Sequence, residues 1–567
     1  MRRYGRLEFA GVLGILFLLG LLAFMRPRTA SESPTLIEAN RHKILLLTVG
    51  SEPKSLDPSL VEGIPDGRIL AALVEGLVIS DPKDASKQDP GVAESWEHNE
   101  DASVWTFHIR PDAKWSNGDP VTAGDFVFSF QRVLTAQLGS INSNFFFVFK
   151  GAEAYLRGQI TNFDEVGVKA VDPHTLRLDL IGPDPSLTAL LAAQQLYPVH
   201  PPTILKFGTI GQRDTKWTAP GNYVGNGPFV LKTWRKNDVI EVVKNPNYWD
   251  AATVKLNGIR FYAIQDIDTA DRAFRAGQLH KTDSVPLDRI PYYRREQPEI
   301  LQLAPYLGVY FYNLNVGRKP LDNPKVRLAL SLSIDRLMLV QNILRAKQQP
   351  ATGFIPPGLN DYPVSTRTAY DPGRARQLLA ESGYPGGRGF PKLSIVMNTS
   401  QTHRTIAEAI QQMWREELNI EVGIENQEWK VYMDTLTKHN FDIGRIGWIG
   451  TPDPTFFLDI WKTGNPNNMA GWSNAEYDNL INAAEHTGDV RKRLALLHQA
   501  EDLFLSESPV IPIYWYTSAY LLHPSVVGWY SNIEDDHPYK CVDLKTETRF
   551  AWPCNASHRP NSARSAN

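Results

Sequence analysis

The stretch that decides the fold is LSIVMNTSQTHRTIAEAIQQMWREELNIEVGI, residues 393–424. Residues 393–397 form a short apolar run, which is typical of a buried strand. An amphipathic helical pattern covers residues 404–418, and a second strand pattern covers residues 420–424. A strand, a helix and a strand in succession form a βαβ unit, which implies a parallel sheet. The sequence therefore predicts an α/β fold.

Strand and helix patterns continue outward from this unit. Residues 44–49 form another apolar run, and Val104–Ile109 alternates apolar and polar side chains, as a half-buried strand does. Thr122 and Asp125 have the spacing of a helix capping box. Three further helices are predicted, over residues 325–344, 374–381 and 490–505. No repeat or low-complexity linker separates these elements, so we expect domains that interleave along the chain.

The composition excludes several classes of protein. The chain has 567 residues, with 59 Lys and Arg against 62 Asp and Glu, a net charge of −3. Nucleic-acid binding needs a strongly basic face, so nucleic acid is excluded as a partner. Hydrophobic residues at 42% and charged residues at 21% indicate a folded globular protein, and the length indicates about three to four domains.

The N-terminus is predicted to direct export. Arg2, Arg3 and Arg6 precede an uncharged apolar run, residues 9–25, and a small-residue site follows at residues 29–31. Residues 1–31 are therefore a signal peptide or an N-terminal membrane anchor. Either outcome places the rest of the chain across the membrane, in the periplasm.

The two cysteines, Cys541 and Cys554, are too few for a disulfide scaffold. In an oxidising compartment they can pair, and we predict this disulfide; two free thiols in a loose tail are the alternative.

Motifs for nucleotide binding, zinc hydrolysis and serine catalysis are absent from the sequence. The 13 histidines do not cluster at metal-ligand spacing. We therefore predict a binding protein without cofactor or metal; a hydrolase with paired carboxylates is the alternative.

A series of motifs between residues 48 and 522 resembles one family. The chain is similar to the large substrate-binding proteins of ABC importers for oligopeptides and dipeptides, solute-binding protein family 5. The motifs include Ser55-Leu56-Asp57-Pro58, Ala93-Glu94-Ser95-Trp96, Asn226-Gly227-Pro228-Phe229, Asn245-Pro246-Asn247-Tyr248-Trp249 and Asn323-Pro324-Lys325-Val326-Arg327.

The resemblance implies a bilobal periplasmic-binding-protein fold, class II-like and large, with three interleaved domains, a hinge and a ligand cleft between the lobes. The implied boundaries are 40–75, 203–305 and 516–546 for domain I, 76–202 for domain II, 306–515 for domain III and 547–567 for a C-terminal tail.

The resemblance also implies ligand-binding residues. Glu62, Gly63 and Ile64 match a segment that pairs with the ligand backbone. Arg445 is expected to neutralise a ligand carboxylate, or else to form an interlobe salt bridge. The other implied cleft residues are His403, Tyr306, Trp429, Trp448, Gly450, Tyr514 and Trp515. For the aromatic residues of this set, packing in the core is the alternative.

Peptide-binding members carry an aspartate after this tryptophan that anchors the peptide ammonium, and here Thr451 occupies its place. Because a buried ammonium without a counter-charge is costly, either Asp453 swings in or the ligand lacks a free α-amine. Gly308 and Ile449 replace a cysteine pair of the family. Leu436 replaces an arginine of the carboxylate site, with Lys438 and His439 close by.

These features predict a monomeric periplasmic receptor that binds short peptides and delivers them to the permease of an ABC importer. One alternative is a membrane-anchored peptide sensor or chaperone without transport, held in the membrane by residues 9–25. Another is a receptor for a non-peptide ligand that lacks a free α-amine.

Overall fold

The computed structural model describes residues 33–84, 87–359 and 362–546. The apolar run at residues 9–25, the tail from residue 547 and Cys554 lie outside these ranges, so the export segment and the disulfide stay predictions. Among the described residues, no helix combines the length and the apolar character that a bilayer crossing requires.

The helices are distributed along the whole described chain. They are α1 Pro34–His42, α2 Ile64–Leu73, α3 Ala123–Val133, α4 Ala152–Leu156, α5 Leu187–Leu191, α6 Pro201–Phe207, α7 Ile267–Arg275, α8 Ile290–Glu296, α9 Pro324–Leu332, α10 Arg336–Met338, α11 Pro372–Glu381, α12 Gln401–Leu418, α13 Trp429–Thr437, α14 Thr455–Leu458, α15 Ala475–Glu485 and α16 Val490–Glu507.

The strands alternate with these helices. They are β1 Ile44–Thr48, β2 Val78–Ser80, β3 Gln88–Pro90, β4 Ala93–His98, β5 Val104–Ile109, β6 Val168–Asp172, β7 Thr175–Asp179, β8 Phe229–Arg235, β9 Val239–Lys244, β10 Gly258–Tyr262, β11 Leu301–Leu314, β12 Gln349–Pro350, β13 Leu393–Asn398, β14 Val422–Gln427, β15 Ile443–Ile449, β16 Val510–Leu521, β17 Val526–Val527 and β18 Asp543–Leu544.

Three larger sheets organise the described residues. One has the strand order β1-β10-β9-β8, the next has β4-β5-β7-β6, and the six-stranded sheet has β12-β16-β11-β15-β13-β14. Each sheet has its own apolar core. We call these assemblies the first unit (core residues within 45–74, 197–261 and 526–544), the second unit (within 77–196) and the third unit (within 307–515).

The predicted βαβ unit is confirmed in the third unit. Strand β13 pairs in parallel with β14, and α12 connects them. Helix α12 buries Ile406, Ile410 and Trp414 at helical spacing and ends at Asn419, which is left-handed at φ 52°. The sheet as a whole is mixed, because β15 pairs antiparallel with β11, which in turn pairs antiparallel with β16.

One predicted helix, residues 325–344, is broken in the structure. Helix α9 ends at Leu332, and Asp335 caps a new turn whose continuation, Leu339–Leu344, is π-helical. The break brings the buried Arg336 guanidinium to the main-chain oxygen of Pro512, 2.7 Å away on β16. A tertiary hydrogen bond of this kind is invisible to local periodicity, which explains the error.

Candidate functional site

A cavity of about 600 Å³ lies where the three units meet. The first unit contributes Gly63 to its wall, the second contributes Phe145, and the third contributes Arg445. Ten of the twelve predicted ligand-binding residues line this cavity: Glu62, Gly63, Ile64, Tyr306, His403, Trp429, Arg445, Trp448, Gly450 and Tyr514. The structure therefore brings together side chains from segments more than 450 positions apart in the sequence.

Arg445 is a buried cation of the cavity wall. Its position on β15, opposite Tyr312 of β11, is fixed by strand pairing, and the residue is only 8% exposed. The guanidinium lies over the ring of Tyr310, 4.5 Å from its centroid, and donates hydrogen bonds to the Tyr516 hydroxyl at 2.6 Å and to Asn398 Oδ1 at 3.1 Å.

Arg445 has no acidic partner among the described residues, and its Nε also lacks a hydrogen-bond acceptor there. The interlobe salt bridge considered for Arg445 is therefore not formed by the described residues. Burial lowers the pKa of Arg445, but the oxygens of Tyr516 and Tyr310 outweigh burial and the net direction is upward. A permanently charged guanidinium with free donors, facing a cavity, is suited to a carboxylate ligand.

Tyr516 is a site residue that the sequence reasoning missed. It lies two positions beyond Tyr514 on β16, so both rings point to the same face of the sheet as Arg445. Trp515 points to the opposite face and packs in the apolar core with Val309 and Phe311. The prediction of Trp515 as a cleft wall is thus corrected: strand alternation assigns that role to Tyr514 and Tyr516.

Strand β15 presents an open edge to the cavity. It pairs with β11 along its whole length, whereas its register with β13 covers only Ile443 and Gly444. The remaining residues, 445–449, all line the cavity, and no described strand pairs with their second edge. Gly447 permits the close packing here, because a Cβ at this position would lie 2.4 Å from the Tyr516 hydroxyl oxygen.

His403 lies in the first turn of α12, where its N–H donates to the capping Ser400 side chain. Its ring lies 5.6 Å from that of Tyr310. Burial, reinforced by the charge of Arg445, holds the pKa of His403 well below its usual value. His403 is therefore neutral at physiological pH, and its buried Nδ1 has no hydrogen-bond partner among the described residues.

Gly63 and Trp429 meet across the cleft. A Cβ on Gly63 would lie 2.9 Å from Trp429 Cζ2, so only glycine fits between α2 and this ring. Glu62, next to it, forms an ion pair with Lys54.

Asp453 lies away from the cavity wall. Its carboxylate pairs with Arg493 at 2.9 Å and accepts a hydrogen bond at 2.9 Å from the Ser186 hydroxyl of the second unit. Burial raises the pKa of Asp453, but the charge of Arg493 outweighs burial and the net direction is downward. Asp453 is already satisfied by these partners and, in this arrangement, does not take the place of the missing aspartate at Thr451.

The residues near the other departures also differ from expectation. Leu436 is fully buried, Lys438 is exposed beside Asp434, and His439 Nδ1 bonds to the Met469 carbonyl. Neither Lys438 nor His439 lines the cavity. The carboxylate-binding capacity of this wall therefore resides in Arg445.

The second and third units are in contact along the cavity wall. The rings of Phe145 and Phe456 stack with centroids 4.7 Å apart, and Asn467 donates to the Ile141 carbonyl at 2.8 Å. These contacts, with that of Ser186 and Asp453, hold the two sides of the cleft together.

This architecture, a cavity enclosed between lobes built on separate sheets, is that of a solute-binding protein. The family model for bacterial extracellular solute-binding proteins, family 5, matches residues 87–469, and the chain belongs to this family.

Similar proteins cover nearly the whole chain. The periplasmic oligopeptide-binding protein OppA of Escherichia coli is 34% identical over 520 residues, which are 90% of this chain and 94% of OppA. The probable deoxycholate-binding periplasmic protein YgiS of Escherichia coli is 32% identical over 538 residues, 93% of this chain and 97% of YgiS.

Among solved structures, the Escherichia coli murein tripeptide binding protein MppA superposes with a TM-score of 0.84 at 33% identity, over 88% of this chain and 98% of MppA. The unliganded open form of MppA gives 0.61 at the same identity, over 88% of this chain and 97% of that structure. The difference agrees with the contacts across the cleft: the lobes of this chain lie in a closed arrangement.

Proposed function

We propose that this protein is a periplasmic receptor, not an enzyme, that encloses short peptides and delivers them to an ABC importer permease. The observation that carries the proposal is the open edge of β15, residues 445–449, beside the unpaired Arg445. An extended peptide can add to this edge as a strand, so that main-chain hydrogen bonds supply affinity for many sequences. Arg445 then receives a peptide carboxylate through charge-assisted hydrogen bonds.

The proposal includes the predicted architecture. We take the three units as the cores of domains I, II and III with the boundaries given above, and the protein as a monomer in which Glu62 to Ile64 face the ligand from domain I. Because the ligand contacts both sides of the cleft, its binding stabilises the closed form, which the permease then recognises.

A thermal-shift series with di- to pentapeptides tests the proposal. A ligand that binds only the folded state raises the melting temperature by mass action. We expect a concentration-dependent rise with peptides and none with free amino acid mixtures. No rise with any peptide would contradict peptide binding, and failure of permease subunits to co-purify with the loaded receptor would favour the sensor or chaperone alternative.

A second candidate ligand is a carboxylate without an amine. Thr451, uncharged where peptide-binding relatives carry an aspartate, and the similarity to the probable deoxycholate-binding YgiS both favour it. Deoxycholate in the same thermal-shift series separates the two: a rise with deoxycholate alone would replace peptides as the ligand.

A further inference from the structure

The segment 532–537 forms an acidic loop on the cavity wall and is hydrogen-bonded to β11 and β16 of the sheet that carries Arg445. Glu534, Asp535 and Asp536 all line the cavity. Asn532 fixes the loop, since its Oδ1 accepts hydrogen bonds from the backbone N–H groups of Glu534 at 3.1 Å and Asp536 at 3.2 Å.

The three carboxylates of this loop differ in their partners. Asp535 is saturated by Arg68, Ser518 and His537, each at 3.0 Å. By contrast, Glu534 and Asp536 form no ion pair with any described lysine, arginine or histidine, and Glu534 Oε2 is buried without a hydrogen-bond partner. The cavity wall thus carries a buried guanidinium, Arg445, and a buried carboxyl group, Glu534, neither of which forms an ion pair with a described residue. A zwitterionic ligand suits these two groups, because its carboxylate can meet Arg445 and its ammonium can stabilise the ionised form of Glu534.

The acidic loop lies close to the position of the missing aspartate. Leu307 of β11 accepts a hydrogen bond from the Gly450 N–H at 3.0 Å and donates its own N–H to the Ile533 carbonyl. A single residue therefore separates the loop that carries Thr451 from the loop that carries Glu534.

We propose that Glu534, with Asp536 beside it, receives the cationic group of the ligand whose carboxylate meets Arg445. This inference rests on the proposed peptide binding and specifies which peptides are preferred. The preferred ligand carries a free ammonium group, which contacts carboxyl groups of domain I and not the loop after Trp448.

Proton release is the signature of this arrangement. Burial, reinforced by Asp536, raises the pKa of Glu534 to about 8. The other groups that face Glu534 and Asp536 are the Ser80 hydroxyl of β2, Asp535, His537 and the hydroxyls of Tyr197, Tyr306 and Tyr539. Burial raises the pKa of all three tyrosines, so they are neutral, and His537 is engaged by Asp535. A bound ammonium favours the carboxylate, so binding at pH 7 expels the proton. Affinity should rise as the pH approaches about 8 and fall at higher pH, because the α-ammonium of the peptide, with a pKa of about 8, then loses its own proton.

Isothermal titration calorimetry of the full chain with trialanine and N-acetyl-trialanine, in two buffers of different ionisation enthalpy, measures both affinity and proton release. We expect release of close to one proton with trialanine. Glu534→Gln should remove this release and weaken trialanine binding at least about tenfold, as loss of a charged hydrogen bond does, with N-acetyl-trialanine unaffected. Glu52→Gln, an acid of the first unit outside the cavity, is the matched control, and melting curves establish that each variant folds.

Asp536→Asn is the second variant, because removal of its charge lowers the pKa of Glu534 and should reduce proton release without abolishing it. Equal behaviour of Glu534→Gln and the wild type, or equal loss of both peptides, would overturn the inference. Failure of the wild type to bind any peptide would overturn the proposed function on which the inference rests.

Discussion

Asp453 and Arg493 form an ion pair within the third unit, with 2.9 Å between the carboxylate Oδ2 and the guanidinium nitrogen. Both side chains are less than one-fifth exposed. Because Ser186 of the second unit donates to the same carboxylate, the pair joins the second and third units at a point outside the cavity wall. Asp453 therefore has a role in the closed arrangement that does not depend on the charge of the ligand.

Asp453→Asn should lower the free energy of unfolding by about 2 kcal/mol at pH 7, since truncating one member of a buried charge pair leaves the other unpaired. Because Arg493 lowers the pKa of Asp453 in the folded state, the Asp453 carboxylate stabilises the protein at pH values above its unfolded-state pKa. This stabilisation is lost as the pH falls through the lower folded-state pKa. Urea unfolding should therefore show a smaller difference between variant and wild type at pH 3 than at pH 7.

The same variant distinguishes closure from ligand recognition. Asp453→Asn should weaken trialanine and N-acetyl-trialanine by the same factor, because the carboxylate contacts Ser186 and Arg493 and does not line the cavity. A loss confined to the free-amine peptide would instead make Asp453 the ammonium anchor.

Arg445→Ala should weaken peptide binding by about 1.5 to 3 kcal/mol, the range for a hydrogen bond to a charged group. Calorimetry with a peptide and with its C-terminal amide tests whether the lost affinity comes from the carboxylate, since only the peptide with a free carboxylate can form the charged hydrogen bond with the Arg445 guanidinium. Arg404→Ala is the control: this arginine is exposed and pairs with Glu408 on the surface of α12. Equal affinity of Arg445→Ala and the wild type would assign Arg445 a structural role.

Local sequence patterns predicted an element correctly where the apolar face given by its periodicity is also the face that packs in the core. Val104–Ile109 was predicted as an alternating strand and is one, because its apolar face is the face that packs in the core of the second unit. The βαβ unit was predicted for the same reason, with boundaries displaced by at most three residues. The helix at residues 325–344 was not predicted correctly, since its break serves the distant contact of Arg336 with Pro512.

Site residues were predictable only as far as residue type carries the information. The unpaired charge of Arg445 depends on which side chains surround it, and these come from β11, β13 and β16. Trp515 and Tyr516 are both aromatic, so composition could not separate them; strand parity, counted from Tyr514, would have done so. The pairing of Asp453 with Arg493 joins positions 40 residues apart and has no local signal.

His403 should make stability depend on pH in the mildly acidic range. Its folded-state pKa lies well below 6.5, so below pH 6.5 the unfolded state binds more protons and stability falls as pH falls. Between pH 7.5 and 5.5, one such histidine lowers the free energy of unfolding by about 1 kcal/mol. His403→Phe, which keeps a ring beside Tyr310, should remove this decrease when unfolding is measured at the two pH values. An unchanged pH dependence would place the titrating group elsewhere.

Gly308 and Ile449 are direct partners across β11 and β15, and they should accept an engineered disulfide. A Cβ built on Gly308 meets Ile449 Cδ1 at 2.4 Å, so Gly308→Cys alone should destabilise the protein. Ile449→Cys removes that atom and supplies the second thiol.

The oxidised double variant should have a free energy of unfolding about 2 kcal/mol higher than its reduced form. This value is at the lower end of the range for disulfides, because the Trp448 carbonyl oxygen, 2.9 Å from the new Cβ, also crowds the side chain. Thiol titration and urea unfolding with and without reductant, in a background with Cys541 and Cys554 replaced by serine, measure both quantities. Two free thiols under oxidising conditions would show that the strands do not face each other in this register.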